Sequence, residues 1–393
     1  MSVPMLRFSE FAGAWEQLKI GDIGPVRMCK RVLKEQTQLT GEIPFYKIGT
    51  FGREADAYID KALFDAFSNR YPFPKAGDIL ISAAGTIGRL VVFDGTPSYF
   101  QDSNIVWISN NEDRVSNSFL HLCYQNVQWL TEDTTIARLY NDNLRRISFA
   151  VPTLPEQQKI AAFLGAVDAK LAALTAKQAA LGRFKAGLMQ KLFSQQLRFT
   201  QDDGQAFPDW EKKRLGDVAE IIGGGTPDTD VADYWNGAVV WFTPSEIKKK
   251  YLTTSARKIS ESGLSSSSAK MLPVGALVLS TRATIGDVGI ATLPCATNQG
   301  FQSLVVKGKN YNEFWYYWLK HNKKALLRRS AGSTFLEIGK SEVQKIPVEK
   351  PHPDEQQKIA AALSAMDAKI QAVADQITKL QTFKKGLLQQ MFV

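Results

Sequence analysis

The feature that most constrains the fold of this chain is a long internal repeat. Residues Glu156–Phe193 align without a gap on Glu355–Phe392, at a constant offset of 199 residues, and about half of the positions are identical. Both copies are rich in Ala, Leu, Gln and Lys, which favour helices. Pro155 and Pro353 stand just upstream, where proline suits a first helical turn. The repeat therefore predicts two long helices of related sequence.

Apolar residues within each copy recur at alternating steps of four and three, which is the spacing of a coiled-coil seam. The apolar seam positions are Ile160, Leu164, Val167, Leu171, Leu174 and Leu181 in the first copy, where the polar Gln178 occupies one seam position, and Ile359, Leu363, Met366, Ile370, Val373, Ile377 and Leu380 in the second. A helix with one apolar seam needs a partner, and the simplest partner is the other copy. We predict that the two helices pair; the alternative is a pair of ordinary amphipathic core helices.

Polar residues outside the seam are also preserved between the copies. At the helix starts these are Gln157, Gln158 and Lys159 in the first copy and Gln356, Gln357 and Lys358 in the second. A coiled-coil seam does not require them. We therefore predict that they form a partner-binding face that a second protein, bound in two copies, contacts.

The segments before the two helices are related more loosely. The stretch GDILISAAGTIG (77–88) resembles GALVLSTRATIG (275–286), and both predict an apolar strand followed by a tight turn. The repeating unit is thus an α/β globule followed by a long helix. The predicted organisation is a globule at 1–154, a helix at 155–195, a linker at 196–209, a second globule at 210–352 and a second helix at 353–393.

Catalytic and metal-site motifs are missing from the sequence. The three histidines and three cysteines are scattered, without HExxH or CxxC spacing. In GSTFLEIGKS (332–341), six residues separate the glycines, whereas a phosphate-binding loop requires four. We predict no catalytic residue, no metal site and no cofactor in this chain. With neither a secretory leader nor an apolar run long enough to span a membrane, the expected location is cytoplasmic.

The charge balance favours a polyanionic partner. The net charge is +9 and the isoelectric point is about 9.2, which is compatible with nucleic acid or an anionic membrane surface. Basic residues recur in both globules, although each alone is more often part of a solvated face. The candidate DNA-binding residues are Lys47, Arg53 and Arg89 in the first globule and Lys248, Lys249 and Arg282 in the second.

This arrangement resembles the specificity (S) subunits of type I restriction–modification systems, and the resemblance covers essentially the whole chain. Its most specific elements are PEQQKI (155–160) and DEQQKI (354–359) at the two helix starts. Other stretches typical of the family are Trp210-Glu211, Leu215-Gly216-Asp217 and Thr284-Ile285-Gly286. The first globule departs from the pattern, since ARLYND (137–142) stands where the second has the Gly332–Thr334 run.

The resemblance implies two target recognition domains, each reading one half of an asymmetric, split DNA sequence. It implies that the two helices pack antiparallel as a spacer and bind two methylation subunits, which carry S-adenosylmethionine. Restriction subunits, which use ATP and Mg, would join through the complex, while the specificity subunit itself would be non-catalytic. The alternatives that remain are a coiled-coil scaffold and a stand-alone DNA-modifying enzyme.

Overall fold

The computed structural model describes residues 3–127, 129, 139, 141–330 and 336–392. The Gly332–Thr334 run and half of the 137–142 stretch lie outside the described residues. The chain forms two compact units: unit 1 combines Met1–Thr175 with Asp375–Val393, and unit 2 comprises Ala176–Ala374. Each long helix therefore contributes part of its length to each unit.

Unit 1 is a mixed α/β body. Its strands are β1 Glu16–Lys19, β2 Val26–Arg27, β3 Thr37–Gln38, β4 Ile43–Tyr46, β5 Tyr58–Ile59, β6 Ile79–Ser82, β7 Leu90–Val92, β8 Tyr99–Phe100, β9 Ile105–Ile108 and β10 Ser148–Val151. Its helices are α1 Ile20–Ile23, α2 Lys61–Arg70, α3 Asn117–Asn126, α4 Asn141–Arg146 and the start of α5, Leu154–Phe193. Two four-stranded sheets have the orders β2-β9-β6-β7 and β3-β5-β4-β8, and β1 pairs with β10 in an antiparallel ribbon.

Strand β6 shows why the apolar run ILIS at 79–82 lies at the centre of unit 1. Ile79 and Ile81 pack into the core that contains α3 and the long helices, whereas Leu80 packs into a second core against the other sheet. A strand that is buried on both faces has no polar alternation. The predicted apolar strand and turn are confirmed at this position.

Unit 2 repeats this plan. Its strands are β11 Glu211–Arg214, β12 Ala219–Gly223, β13 Trp235–Phe242, β14 Tyr251–Leu252, β15 Arg257–Ile259, β16 Leu277–Leu279, β17 Val288–Ala291, β18 Cys295–Thr297, β19 Gln302–Val306 and β20 Pro347–Lys350. Its helices are α6 Leu215–Val218, α7 Glu261–Ser265, α8 Asn312–His321, α9 Lys323–Arg328, α10 Lys340–Gln344 and most of α11, Pro353–Met391. The sheets have the orders β12-β19-β16-β17-β14 and β15-β13-β18, and β11 pairs with β20.

Corresponding strand pairs have the same direction in the two units. The two units share one equivalent parallel pair, which is β4 with β8 in unit 1, where Phe45 faces Tyr99, and β13 with β18 in unit 2, where Val240 faces Cys295. Unit 2 has a second parallel pair, β14 with β17. Strands β6 and β16 each lie between two antiparallel neighbours. The internal repeat thus extends to the globules, although their sequences have diverged.

The two predicted long helices are confirmed. Helix α5 has 40 residues and α11 has 39, so each is about 60 Å long at 1.5 Å per residue. In unit 1 the first half of α5 packs with the end of α11, where Asp168 pairs with Lys384. In unit 2 the end of α5 packs with the first half of α11, where Lys185 pairs with Asp367. The helices are therefore antiparallel in both units.

The predicted seam faces inward. The buried seam residues are Ile160, Leu164, Val167, Leu174, Ile359, Leu363, Met366 and Val373. The half-buried ones are Leu171, Leu181, Ile370, Ile377 and Leu380. The seam also packs against the globules, because in unit 2 Ile359 and Leu363 share one core with the aromatic helix α8. Each helix thus belongs to its coiled-coil pair and to a globular core.

Candidate nucleic-acid interface

Three loops converge in unit 2: those that follow β13, β16 and β18. The Thr281 amide donates to the carbonyl of Gly300 at 2.9 Å, which joins the second loop to the third. The Thr284 hydroxyl donates to the carbonyl of Pro244 at 3.4 Å, which joins the second to the first. We call this group of loops the convergent loops of unit 2.

The equivalent loops of unit 1, which follow β4, β6 and β8, also converge. The Ala83 amide donates to the carbonyl of Asn104 at 2.7 Å, and the Gln101 amide donates to the carbonyl of Tyr46 at 2.9 Å. The first of these bonds corresponds to the bond between Thr281 and Gly300. The convergent loops are therefore a repeated structure: in each unit two of them follow the parallel strands of one sheet, and the third follows a strand of the other sheet.

The Thr-Ile-Gly turns have the same geometry in the two units. Gly88 and Gly286 have φ values of +78° and +83°, which favour glycine because it has no Cβ. Their amides donate back to the carbonyls of Ser82 and Ser280 at 3.0 and 2.9 Å. These bonds hold each turn at the end of its buried strand.

The predicted DNA-binding residues of unit 2 lie on these loops. Lys248 and Lys249 are exposed on the loop after β13. Arg282 is half-buried on the turn after β16, where its backbone bridges to Glu337. Its Nε atom is 3.9 Å from the Glu337 carboxylate. The fold thus brings together residues that are more than 30 positions apart in the sequence.

The predicted residues of unit 1 lie on the equivalent loops, but two of them make internal contacts. The Lys47 amine is 2.8 Å from a carboxylate oxygen of Asp56. Arg89 donates from Nη1 to the carbonyl of Phe51 at 2.8 Å, which ties the loop after β4 to the sheet. Arg53 is exposed on that loop. The convergent loops of unit 1 therefore combine an exposed arginine with cations that brace the loop.

Amide side chains on the third loop were missed by sequence reasoning. The Gln101 Oε1 atom accepts the Ile48 amide at 2.9 Å in unit 1. In unit 2 the exposed Gln299 bonds to the Thr226 hydroxyl. Amide side chains can read base edges, but Asn and Gln are too common for their presence in a sequence to mark a site. The sequence feature that could have identified these residues is their position directly after a strand.

The structure corrects the interpretation of Gln157 and Gln356. Both side chains are fully buried. The Gln157 Oε1 accepts the Ser116 amide at 2.9 Å, and its Nε2 donates to the carbonyl of Pro152 at 2.8 Å. Gln356 accepts the Tyr311 amide at 2.8 Å in the equivalent way. Internal hydrogen bonding therefore accounts for these glutamines, which are not accessible to a partner.

The two predicted partner-binding lysines also have internal partners. Lys159 forms an ion pair with Glu10. Lys358 lies 2.6 Å from a carboxylate oxygen of Asp202, and this contact holds the pKa of that carboxyl below its usual value. The helix-start residues that remain exposed and have no such ion pair are Gln158 and Gln357. For this last pair partner contact stays a prediction.

A buried carboxylate follows each helix-start proline and is clasped by an arginine. Arg198 donates from Nε and Nη2 to the fully buried Glu355 at 3.1 and 2.8 Å, and these bonds raise the arginine pKa. Arg7 makes the same bidentate bond to the fully buried Glu156 at 2.7 and 2.7 Å. Sequence reasoning missed these arginines, whose signal is the tripeptide Leu-Arg-Phe at 6–8 and 197–199.

Both long helices expose a repeated aromatic residue. The side chains of Phe184 and Phe383, which are equivalent in the repeat, are 62% and 53% exposed. One turn later stand Gly187 and Gly386, where an added Cβ would meet no atom within 4 Å. A glycine inside a helix costs about 1 kcal/mol relative to alanine, and no contact with a described residue requires it here. We call these paired residues the phenylalanine–glycine faces.

The cysteine thiols are shielded from water. The three cysteines are buried and unpaired. Burial raises the pKa of Cys29 and Cys295 to about 12, so their thiols stay protonated at neutral pH. Within the described ranges, no group of His, Cys, Asp and Glu has the arrangement of a metal site. Among the described helices, none is long and apolar enough to cross a membrane.

The fold defines a tandem-repeat protein in which each α/β unit packs on a pair of long antiparallel helices. The sequence matches the family model described as the type I restriction modification DNA specificity domain over residues 13–182 and 208–382. The chain belongs to this family.

Curated relatives match parts of the chain. It is 57% identical over 148 residues to a putative type I restriction enzyme specificity subunit of Haemophilus influenzae, covering 37% of this chain and 38% of the relative. It is 34% identical over 197 residues to the type I restriction enzyme MjaIX specificity subunit of Methanocaldococcus jannaschii, covering 49% and 46%. The matches thus span less than half of the length of these two relatives.

A solved structure shares the whole fold. The S subunit of a type I restriction–modification system from M. genitalium has a TM-score of 0.61 to this chain at 16% identity. The match covers 100% of this chain and 99% of that one. At this identity the likeness shows the fold alone.

Proposed function

We propose that this chain is the DNA-specificity subunit of a type I restriction–modification complex. Each unit reads one half of a split, asymmetric target through its convergent loops. The observation that carries this proposal is that the same three loops converge in both units while their sequences differ. The third loop, for example, reads QDSN at 101–104 and NQGF at 298–301. Equal scaffolds with unequal loops are expected where two different half-sites are read.

Within each unit, the residue types divide the work of recognition. The exposed Lys248, Lys249 and Arg53 suit phosphates, which supply affinity but no sequence information. Gln299 and Arg282 have side chains that can bond base edges in the major groove. Lys47 and Arg89 hold their loop in shape, so that their effect on binding is expected to be indirect.

The phenylalanine–glycine faces support a second part of the proposal, which is the docking of two methylation subunits. An exposed phenylalanine beside a glycine offers an aromatic anchor and close access to the helix backbone. Aromatic residues are enriched at binding hot spots. Because the face occurs once on each helix copy, two identical partners can bind. These partners would carry S-adenosylmethionine, and associated restriction subunits would use ATP and Mg, while this chain is non-catalytic.

The recognition proposal is tested by sequencing methylated bases in cells with and without this chain. We expect one split adenine motif to disappear when the chain is deleted. Replacing the convergent loops of unit 2 alone should then change one half of the motif and leave the other half intact. A methylation pattern that does not respond to deletion would refute the proposal, and would leave a scaffold role as the better account.

The docking proposal is tested by co-purification of the full chain with a methylation subunit from the same organism. Phe184→Ala and Phe383→Ala should each weaken assembly, and the double variant should abolish it. Val274→Ser is a matched control, because Val274 is 61% exposed but belongs to neither long helix and precedes β16. If the double variant binds the methylation subunit as well as the unchanged chain does, docking occurs elsewhere.

A further inference from the structure

A polar network extends from the convergent loops of unit 2 to the long helices. Lys250 follows the exposed lysines of the loop after β13, but only 15% of its own side chain is exposed. Its amine lies 3.0 Å from Glu313 Oε2 on α8, 3.1 Å from the Tyr317 hydroxyl and 2.8 Å from the Ser364 hydroxyl on α11. One ammonium group therefore joins the loop, α8 and α11.

The network continues across both long helices. The Tyr317 hydroxyl donates to Asp367 Oδ2 at 2.6 Å, and the same aspartate is paired with Lys185 on α5. The Ser364 hydroxyl also donates to Glu313 Oε2 at 2.9 Å. We call these residues the Lys250 network; its members are Lys250, Glu313, Tyr317, Ser364, Asp367 and Lys185.

The hydrogen bonds of the network are interdependent because its charges are largely removed from water. Burial alone would raise the pKa of Glu313, but the hydrogen bonds from Tyr251, Lys250 and Ser364 hold it below the usual value. A half-buried carboxylate of this kind needs its donors. Displacement of the loop would therefore break several bonds at once, so the loop and the helices are expected to move together.

Unit 1 has no equivalent of this network in its described residues. The three positions that correspond to the carboxylate, the tyrosine and the serine of the network are occupied by Ser118, Leu122 and Gly165. Among the described residues, the ion pair between Asp168 and Lys384 is retained, and Lys384 also lies 3.4 Å from Gln125 on α3. The repeated pair between the helices is thus common to both units, whereas its extension to a recognition loop belongs to unit 2.

We propose that the Lys250 network positions the loop after β13, which is one of the convergent loops of unit 2, from the long helices. The helix pair thereby sets how strongly unit 2 discriminates between DNA sequences. This inference rests on the proposed function. Its members are positioning residues, since they act through the loop and not by touching DNA. The two half-sites should therefore differ in their sensitivity to changes in the helices.

The test measures binding of the full chain, in its complex, to a duplex that carries the methylated motif. Companion duplexes have one base pair changed in one half of the motif. We expect Lys250→Met and Lys185→Met to lower the ratio of affinities for matched and changed duplexes by about fivefold or more, the lower range of measured coupling between sites. The loss should affect the same half of the motif in both variants, and discrimination at the other half should not change.

Lys384→Met is the matched control. It removes the repeat equivalent of Lys185 and breaks the same type of ion pair, while the other described bond of Lys384, to Gln125 on α3 at 3.4 Å, does not reach a convergent loop. It should leave discrimination at both halves unchanged. Lys250→Arg, which keeps a cation that can bond Glu313, should restore part of the discrimination that Lys250→Met loses. If Lys250→Met fails to fold, the comparison of Lys185→Met with Lys384→Met still decides the question.

The outcomes separate the two proposals. A complex that binds every duplex equally refutes the proposed function. A complex that discriminates normally with Lys185→Met and Lys250→Met refutes the network inference alone. Equal losses at both halves would refute it as well, because they indicate a general structural effect.

Discussion

Removal of the arginine that clasps a buried helix-start carboxylate should destabilise one unit by a large and calculable amount. In unit 2, Arg198→Met keeps much of the side-chain volume but removes both bonds to Glu355. The carboxylate is fully buried, so it cannot regain water without local unfolding. Among the described residues, the bond that remains to this carboxylate is from the indole of Trp210 to Glu355 Oε2 at 3.0 Å.

The magnitude follows from this residual bond. Breaking a buried ion pair by removing one partner costs about 3–5 kcal/mol, and we expect the lower value of about 3 kcal/mol for Arg198→Met. In unit 1, Arg7→Met removes both bonds to Glu156, and the equivalent indole of Trp15 has no hydrogen-bond partner among the described residues. The loss there should approach about 5 kcal/mol.

Hydrogen exchange resolves the two units within one chain. Amides of β16 report on unit 2 and those of β6 on unit 1, and the change in their protection gives the change in free energy of unfolding. Arg198→Met should lower the protection of the β16 amides more than that of the β6 amides, and Arg7→Met should have the opposite preference. Lys345→Met is the control, because Lys345 and Glu342 form an exposed pair that contributes less than about 1 kcal/mol.

Two results would contradict this reasoning. If Arg198→Met lowered protection no more than Lys345→Met does, Glu355 would not depend on its arginine. If Arg198→Met lowered the free energy of unfolding more than Arg7→Met does, the bond from the Trp210 indole would not compensate for the lost arginine.

Three further predictions concern binding, the helix glycines and pH. Lys248→Ala with Lys249→Ala should reduce the slope of log affinity against log salt by about two if each contacts one phosphate, with unchanged thermal unfolding. Gly187→Ala and Gly386→Ala should each raise the free energy of unfolding by about 1 kcal/mol while weakening co-purification with the methylation subunit. Burial and a nearby lysine lower the pKa of His121 in the folded chain. As the pH falls, the unfolded chain therefore binds a proton at His121 at a higher pH than the folded chain does. Stability should therefore fall as pH drops below about 6.5, and His121→Gln should reduce that fall in chemical denaturation.

The helix pair could be predicted because its signal is local and repeated. Seam spacing, helix-forming composition and the copied PEQQKI and DEQQKI starts all indicate the same structure, and tertiary packing agrees with them. The candidate DNA-binding residues lie on loops, as expected, because an apolar strand that ends in a turn predicts where the turn lies; their contact with DNA stays a prediction. The sequence does not show which cations brace a loop and which face outward, because Arg89 and Arg53 have the same local signal.

The sequence by itself determined that this chain is a duplication, that its repeats contain long paired helices, and that its globules have diverged more than its helices. Only the tertiary structure decided which preserved residues face inward. Gln157 and Phe184 are both repeated between the copies, yet one is bound inside a unit and the other is exposed. A helical repeat fixes the angle at which each side chain leaves the helix. Whether that angle meets a globule or open solvent depends on segments distant in the chain, and no local pattern contains that information.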